Sequence, residues 1–410
     1  MIPLPLDELR GLGQLDGNGE ATGLTIDSRT AGRGDLFVAV RGGRAFVDAA
    51  RAQGAATLVP DDEHAALAAI GRALRARSRA RVVGITGSTG KTSTKDILAA
   101  LCAPVARTVA TRASENAELG VPLTLGRLEP DTELCLVELG MRGTGQIAEL
   151  CEIARPDLGV ITAIGPVHLE LVGSVDGVAR SKAELVTALP PGGIAVVPRS
   201  PELEPYLERE DIDVRRVGEV DFELREDGAL VAFEGDRIRF PLRSRHQAQN
   251  ALTALTAYQA LGLPLDRLQE AAATVELSRW RGEELELPGG GVAINDAYNA
   301  NPTSMRAALE QLAGLPAERK LAVLGGMAEL GEHAERYHGE LGELARELGI
   351  EVIAVGELAR GYGADTWVPD ATAAVAAARG RLRPGDAVLV KASRALALEG
   401  VAPALANEAG

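Results

Sequence analysis

From residue 81 onward, short unbroken apolar runs alternate with longer stretches in which apolar positions recur every three or four residues. The runs at 82–86, 134–139, 158–164 and 194–198 are too short and too continuous for amphipathic helices. They suit strands of a parallel sheet buried on both faces, and the helical patterns between them make βαβ units. Residues 1–80 carry shorter strands, at 36–40 and 57–59, with helical stretches near 46–53 and 62–75. Residues 220–242 alternate apolar and polar positions and break at Asp227-Gly228 and Glu234-Gly235, which predicts an antiparallel meander. A helical pair follows at about 246–262 and 265–274. Beyond the run Gly289-Gly290-Gly291, strands near 292–296, 321–325, 351–355 and 386–390 again alternate with helices. The expectation is an α/β protein of three domains, 1–80, 81–288 and 289–410, the central one built on a parallel sheet.

The length of 410 residues is ample for several cores. The formal charge of −15 argues against a general nucleic-acid binder. The first 80 residues are neutral, with ten acids and ten bases, so the acidity lies downstream. No apolar run approaches ~18 residues, so no membrane span is expected. The opening MIPLPLDELR does not read as a secretory signal. Cys102, Cys135 and Cys151 are odd in number and lack CxxC spacing, which suits buried, reduced thiols in a cytoplasmic protein. Of the 43 basic residues only five are lysines (Lys91, Lys95, Lys182, Lys320 and Lys391), which makes each one a question.

The first answer lies at residues 82–94, Val-Val-Gly-Ile-Thr-Gly-Ser-Thr-Gly-Lys-Thr-Ser-Thr. A strand enters a glycine-rich turn and a helix leaves it from Lys91. Gly87, Ser88, Thr89, Gly90, Lys91, Thr92 and Ser93 thus form a compact P-loop, in which backbone N–H groups and the helix N-terminus receive phosphates. Lys91 would bridge the β- and γ-phosphates of ATP, and the Thr92 hydroxyl would reach Mg²⁺. The next strand ends at Glu138, and the third runs out near His168. Both lie at the carboxyl edge where open α/β sheets bind ligands. There they could hold a second divalent ion, or simply hydrogen-bond their own loops.

The P-loop, Glu138-Leu-Gly, His168-Leu-Glu170, Ser181-Lys182-Ala-Glu184, His246-x3-Asn250, Asn295-Asp-Ala-Tyr-Asn-Ala-Asn-Pro302 and Leu324-Gly-Gly-Met-Ala-Glu-Leu-Gly-Glu332 together resemble the Mur ligases. The resemblance runs from about residue 24 to 400. It implies a UDP-substrate domain, a central P-loop ATPase and a Rossmann-like C-terminal ligase domain. The implied activity joins D-alanyl-D-alanine to UDP-N-acetylmuramoyl-tripeptide through an acyl phosphate, in peptidoglycan precursor synthesis, by a monomer. It further implies that Thr92 and Glu138 hold one Mg²⁺ and His168 the other. Lys182 matches the lysine that reacts with CO₂ to give a metal-ligating carbamate, a reaction that needs a primary amine and excludes arginine. Asn250 is placed near the adenine, and Asp296, Tyr298 and Asn299 near ATP from the C-terminal domain. Ser28 and Arg29 (after Asp27) and Asn116 (within Ser114–Pro122) are matched to substrate. The segment Gly42-Gly43-Arg44-Ala45-Phe46 is shorter than the family's Asp-Gly-His element. This motivates one rival, a folylpolyglutamate-type ligase with another acceptor; a second, of a different class, is a P-loop protein that binds nucleotide as a non-catalytic regulator.

Other residues have plainer readings. His64, His333 and His338 are expected at the surface, Lys95 as a solvated charge, and Arg72 to Arg81 on a solvated helix face. Tyr298 could be a core aromatic. Trp280 and Arg281 suit hinge packing or a nucleotide contact equally, and Lys391 follows the last strand without an evident role.

Overall fold

The computed structural model describes residues 1–113 and 115–407; Ser114, in the substrate loop named above, lies outside the described residues. Its centre is a six-stranded parallel sheet. The strand order is Asp213–Val217, Ile194–Pro198, Leu158–Ile161, Arg81–Thr86, Leu134–Glu138, Thr108–Ala110. The P-loop strand Arg81–Thr86 lies inside it, and its side chains alternate between two cores. Val82 joins one that continues into the N-terminal region, while Val83 and Ile85 pack with the helices Lys91–Cys102 and Arg245–Ala260. Burial on both faces is the reason for the unbroken apolar runs. The meander is present as Phe222–Arg225, Gly228–Phe233 and Asp236–Phe240, laid on the second of these cores.

The N-terminal region forms a four-stranded sheet in the order Gly13–Asp16, Ala56–Pro60, Asp35–Val38, Gly23–Thr25, with its first pair antiparallel. Its helix Glu63–Arg77 starts at Asp62, whose carboxylate accepts from the Ala65 N–H at 2.9 Å. Leu67, Ile70 and Leu74 on this helix share one core with Val121, Leu125, Leu150 and Ile153 of the central region. Arg75, expected to be solvated, instead donates to the carbonyls of Ala154 (2.9 Å) and Arg155 (3.1 Å) and pairs with Asp157 at 3.1 Å.

The C-terminal sheet runs Glu283–Glu286, Val292–Asn295, Ala387–Lys391, Lys320–Gly325, Ile350–Val355, Thr366–Val368, and only its first pair is antiparallel. Helices Pro302–Gly314 and Ala334–Glu347 cover one face, Ala371–Arg379 and Val401–Ala406 the other. The Gly289–Gly291 run is the turn of this sheet's own hairpin, so a boundary at 288/289 divides a strand pair. His338 is a correction. It is buried, accepts from the Met327 N–H at 2.9 Å and packs edge-on against Tyr362, with ring centroids 4.8 Å apart. Burial lowers its pKa below the usual histidine range. The three cysteines are free and buried, and burial pushes each thiol up to about 12. No described helix is long and apolar enough to cross a membrane.

The N-terminal helix approaches the central helices closely at Gly71, where a Cβ would lie 2.8 Å from Ile153 Cγ2 and 3.3 Å from Pro122. Gly71→Leu is therefore expected to destabilise the protein by about 1–3 kcal/mol through overpacking. Urea unfolding checks this, and an unchanged midpoint would contradict the packing described.

Candidate active site

The strand–turn–helix sequence at 81–102 places the P-loop at the carboxyl edge of the central sheet, between the ends of the two neighbouring strands. Gly87 has φ +148°, and a Cβ there would lie 1.9 Å from Thr162 Oγ1. No other residue fits that turn. The loop is laced to its surroundings. Thr162 Oγ1 donates to the Thr89 carbonyl at 2.5 Å, and Ser88 Oγ donates to the Gly165 carbonyl at 3.0 Å. From the C-terminal domain, Asn301 Nδ2 donates to the Ser88 carbonyl at 3.3 Å. Asn301 also caps the helix Pro302–Gly314 in a reciprocal box with Ser304. The P-loop thus meets a second helix N-terminus across the cleft.

At the head of the P-loop helix, Lys91 Nζ donates to the Gly87 carbonyl at 2.7 Å. Thr92 Oγ1 donates to Glu138 Oε2 at 2.9 Å and accepts from Arg281 at 2.9 Å. Asn116 Nδ2 donates to the other Glu138 oxygen at 2.7 Å. The Arg281 guanidinium lies 4.0 Å from the centroid of the Tyr298 ring, so Tyr298 is half-buried at the cleft and outside the core. Asp296, Tyr298, Asn299, His246, Asn250 and the P-loop line one cleft of about 180 Å³. His246 and Asn250, four apart on the helix Arg245–Ala260, share a face.

The charges in this cleft do not balance. Burial lowers the pKa of Lys91; the Glu138 carboxylate offsets this and the Arg281 charge adds to it. Behind the cleft and outside its lining, Lys182, on the helix Val175–Thr187, is 1% exposed. Among the described residues its amine has no hydrogen-bond or ion-pair partner. Burial, and next the charge of Lys91, hold its pKa well below the usual lysine value. Its motif neighbours serve the frame: Glu184 accepts from the N–H groups of Gly145 (2.6 Å) and Ala148 (3.0 Å), capping the helix Gln146–Ala154. Burial lowers the pKa of His246, with Asp296 opposing and Lys391 reinforcing the shift. Lys91, Arg281 and Lys391 line the cleft against two carboxylates, Glu138 and Asp296, which leaves room for an anion, and a polyphosphate is the anion a P-loop receives. A hydroxyl and a carboxylate oxygen converging at Thr92 and Glu138 suit a hard cation such as Mg²⁺.

The structure separates some residues that sequence reasoning grouped. His168 does not line the cleft. Its Nδ1 meets Glu329 of the C-terminal domain at 2.5 Å, and this hydrogen bond, with Arg142 nearby, lowers the Glu329 pKa. No cluster of three or more metal-ligating residues forms among the described residues. Lys95 is buried and not solvated: it pairs with Asp96 at 2.6 Å and donates to the Thr111 carbonyl at 2.9 Å. Lys391 is buried as well, bound to Asp296 at 2.6 Å and to the Asn299 carbonyl at 2.8 Å, so it shapes the turn that Asp296 to Asn299 make. Ser28 and Arg29 lie outside the lining of a larger cleft, about 900 Å³, between the N-terminal and central regions. Asp27, Thr30, Arg107, Arg112 and Arg127 line it. Arg29 is folded back on Asp27 at 2.6 Å and holds that carboxyl down at about 2. Sequence reasoning did not commit Arg281 or Asn301 to the site, because the local pattern left Arg281 between hinge packing and a nucleotide contact and gave Asn301 only as part of a helix start.

Comparison with known proteins agrees with this geometry. The Mur ligase middle domain matches residues 85–258, and the Mur ligase, glutamate ligase domain, matches residues 280–394. A Synechocystis UDP-N-acetylmuramoyl-tripeptide–D-alanyl-D-alanine ligase is 34% identical, over 94% of this chain and 92% of that one. A crystal structure of MurF from Acinetobacter baumannii superposes with a TM-score of 0.86 at 28% identity, covering 98% of each chain. A MurF ligase from Thermotoga maritima in complex with ADP gives 0.83 at 28% identity, covering 93% of this chain and 96% of that one. With its three-layered α/β architecture, its P-loop cleft closed by the C-terminal sheet and relatives matched along nearly its whole length, the chain belongs to the Mur ligase family.

Proposed function

We propose that this chain joins D-alanyl-D-alanine to UDP-N-acetylmuramoyl-tripeptide at the expense of ATP. The observation that carries this is the convergence of Lys91, Thr92, Arg281 and Glu138 at a cleft floored by the P-loop and roofed by Asp296–Asn299. ATP occupies that cleft, with its phosphates on Gly87 to Ser93 and its base toward Asn250. The UDP moiety takes the larger cleft, where Arg107, Arg112 and Arg127 suit its diphosphate. The domains then divide as UDP-binding (1–80), ATP-binding (81–288, less the strand Glu283–Glu286) and ligase (289–410 with that strand).

The chemistry follows from charge. A carboxylate is a poor electrophile, and phosphoryl transfer to it brings two anions together, so positioned cations must offset the repulsion. The peptide carboxylate attacks the γ-phosphorus and the bond to the β-phosphate oxygen breaks, giving an acyl phosphate and ADP. The dipeptide amine then attacks the carbonyl carbon, loses its proton, and phosphate leaves. Lys91 and Arg281 neutralise the transferring group, and Asn116 orients Glu138. Mg²⁺ held by Thr92 and Glu138 would supply Lewis-acid charge at the phosphates. A carbamate on Lys182 would supply an anionic ligand to a second ion, whereas His168, held by Glu329 away from the cleft, is not placed to join it. The amine of Lys182, buried and without a partner among the described residues, supports the carbamate, since it can reach the neutral form that reacts with CO₂. The active unit is a monomer, because one chain supplies both clefts.

Incubation with ATP, UDP-muramoyl-tripeptide and D-alanyl-D-alanine is expected to release ADP and phosphate in step with UDP-muramoyl-pentapeptide. ADP release indifferent to both substrates would refute the ligase reading and leave the nucleotide-binding regulator. A panel of amine acceptors separates it from a folylpolyglutamate-type enzyme. Lys182→Arg keeps the charge but removes the primary amine, so turnover should fall about a hundredfold or more with nucleotide affinity largely spared. Lys182→Ala should recover part of its activity with small carboxylates. Full turnover in the arginine variant rules out the carbamate.

A further inference from the structure

Lys95 and Asp96 follow the P-loop lysine by one helical turn, yet they lie away from the cleft and take no part in the chemistry above. Both side chains are nearly buried, at 5% and 11% exposure, and they pair at 2.6 Å. A buried ion pair costs desolvation that its attraction alone repays only with further hydrogen bonds. Two such bonds are present, and they point in opposite directions. Asp96 Oδ2 accepts from the Ser278 N–H at 2.9 Å, in the segment that leads to the C-terminal domain. Lys95 Nζ donates to the Thr111 carbonyl at 2.9 Å, while Thr111 Oγ1 accepts from the Glu138 N–H at 2.9 Å.

The same two ends are joined across the front of the site, where Arg281 donates to Thr92 Oγ1 and Thr92 to Glu138. The connecting segment therefore lies in a closed circuit: Ser278, Asp96, Lys95, Thr111, Glu138, Thr92, Arg281. Gly282 already belongs to the C-terminal sheet, its N–H bonded to the Asn295 carbonyl at 3.1 Å. Only Arg279, Trp280 and Arg281 separate the amide held by Asp96 from the amide held by that sheet. Within this short span Trp280 has φ +61° and Gly282 has φ +77°, the left-handed region in which a chain reverses sharply.

We infer that Lys95 and Asp96 pin the fixed end of the interdomain hinge, and that this pin delivers Arg281 to the nucleotide phosphates. They are positioning residues. Rotation of the C-terminal domain is confined to the three residues beyond Ser278, so closure always brings the guanidinium back to Thr92. The inference rests on the nucleotide reading of the P-loop cleft and not on the identity of the amine acceptor.

The test reads Mg·ADP affinity directly, by displacement of a fluorescent ADP analogue. The variants are Lys95→Met/Asp96→Leu, which leaves no unpaired buried charge, Arg281→Ala, and the two combined. The pair variant is expected to weaken Mg·ADP about tenfold. The combined variant should bind no more weakly than Arg281→Ala alone, because a pin that acts through Arg281 has nothing left to position. Lys95→Met/Asp96→Asn keeps an acceptor for the Ser278 N–H but not the Lys95 link to Thr111, and should recover part of that loss and no more. UDP-tripeptide KM should not move in either pair variant. Additive losses, no recovery with asparagine, or a parallel rise in UDP-tripeptide KM would each overturn the pin. Wild-type protein that fails to bind Mg·ADP would overturn instead the nucleotide reading on which the pin rests.

Discussion

Lys91 and Arg281, both half-buried, face one carboxylate, Glu138, at the head of the P-loop helix. Taking charge out of water is costly, and two half-buried cations facing one carboxylate leave space for a negative ligand. Much of the surrounding architecture serves that imbalance. The P-loop strand is buried on both faces so that its turn is held rigidly, and Thr162 and Ser88 lace that turn to the next loop. Glu138 is fixed from three sides, by Thr92, Asn116 and the hydroxyl of Thr111.

The site is also shared between domains. Arg281, Tyr298 and Asn301 come from beyond the central sheet and reach the P-loop only because the C-terminal sheet folds against it. Lys391 sits under this roof and holds Asp296 and the Asn299 carbonyl, which gives a lysine without an evident role a structural purpose. Glu329 makes a parallel contact on His168 and Arg142, so the two domains meet through charge at two separate places. An enzyme that transfers a phosphoryl group gains from this arrangement, since closure excludes water as it assembles the cations.

The core strands were legible because burial on both faces demands continuous apolar residues, and the eight central and C-terminal runs that lie inside the sheets stand within a few residues of their expected places. Thr108–Ala110, Asp213–Val217, Glu283–Glu286 and Thr366–Val368 were not anticipated, and all four are edge strands. An edge strand hydrogen-bonds on one side only and tolerates sequences such as Glu-Glu-Leu-Glu, so its pattern carries little signal. The misplaced boundary at 288/289 has the same cause: without the edge strand, a hairpin turn of three glycines reads as a linker.

By itself, the sequence determined the parallel-sheet organisation, the phosphate loop and the motifs that mark the family, because each depends on residues close together in the chain. Local spacing also identified Lys91, Thr92 and Glu138 as partners of one cleft. What the tertiary structure alone decided is which distant groups complete or leave that cleft. Lys95 and His338 looked like surface residues and are buried, each through partners that their own helices do not reveal. His168 shares an edge with Glu138 in sequence logic but turns to Glu329, 161 residues away. Arg281 carries no motif of its own, yet stands on Thr92 across 189 residues. Periodicity reports the environment of a residue along its own strand or helix; the partner of a charge is set by how whole domains pack, and no local pattern encodes that.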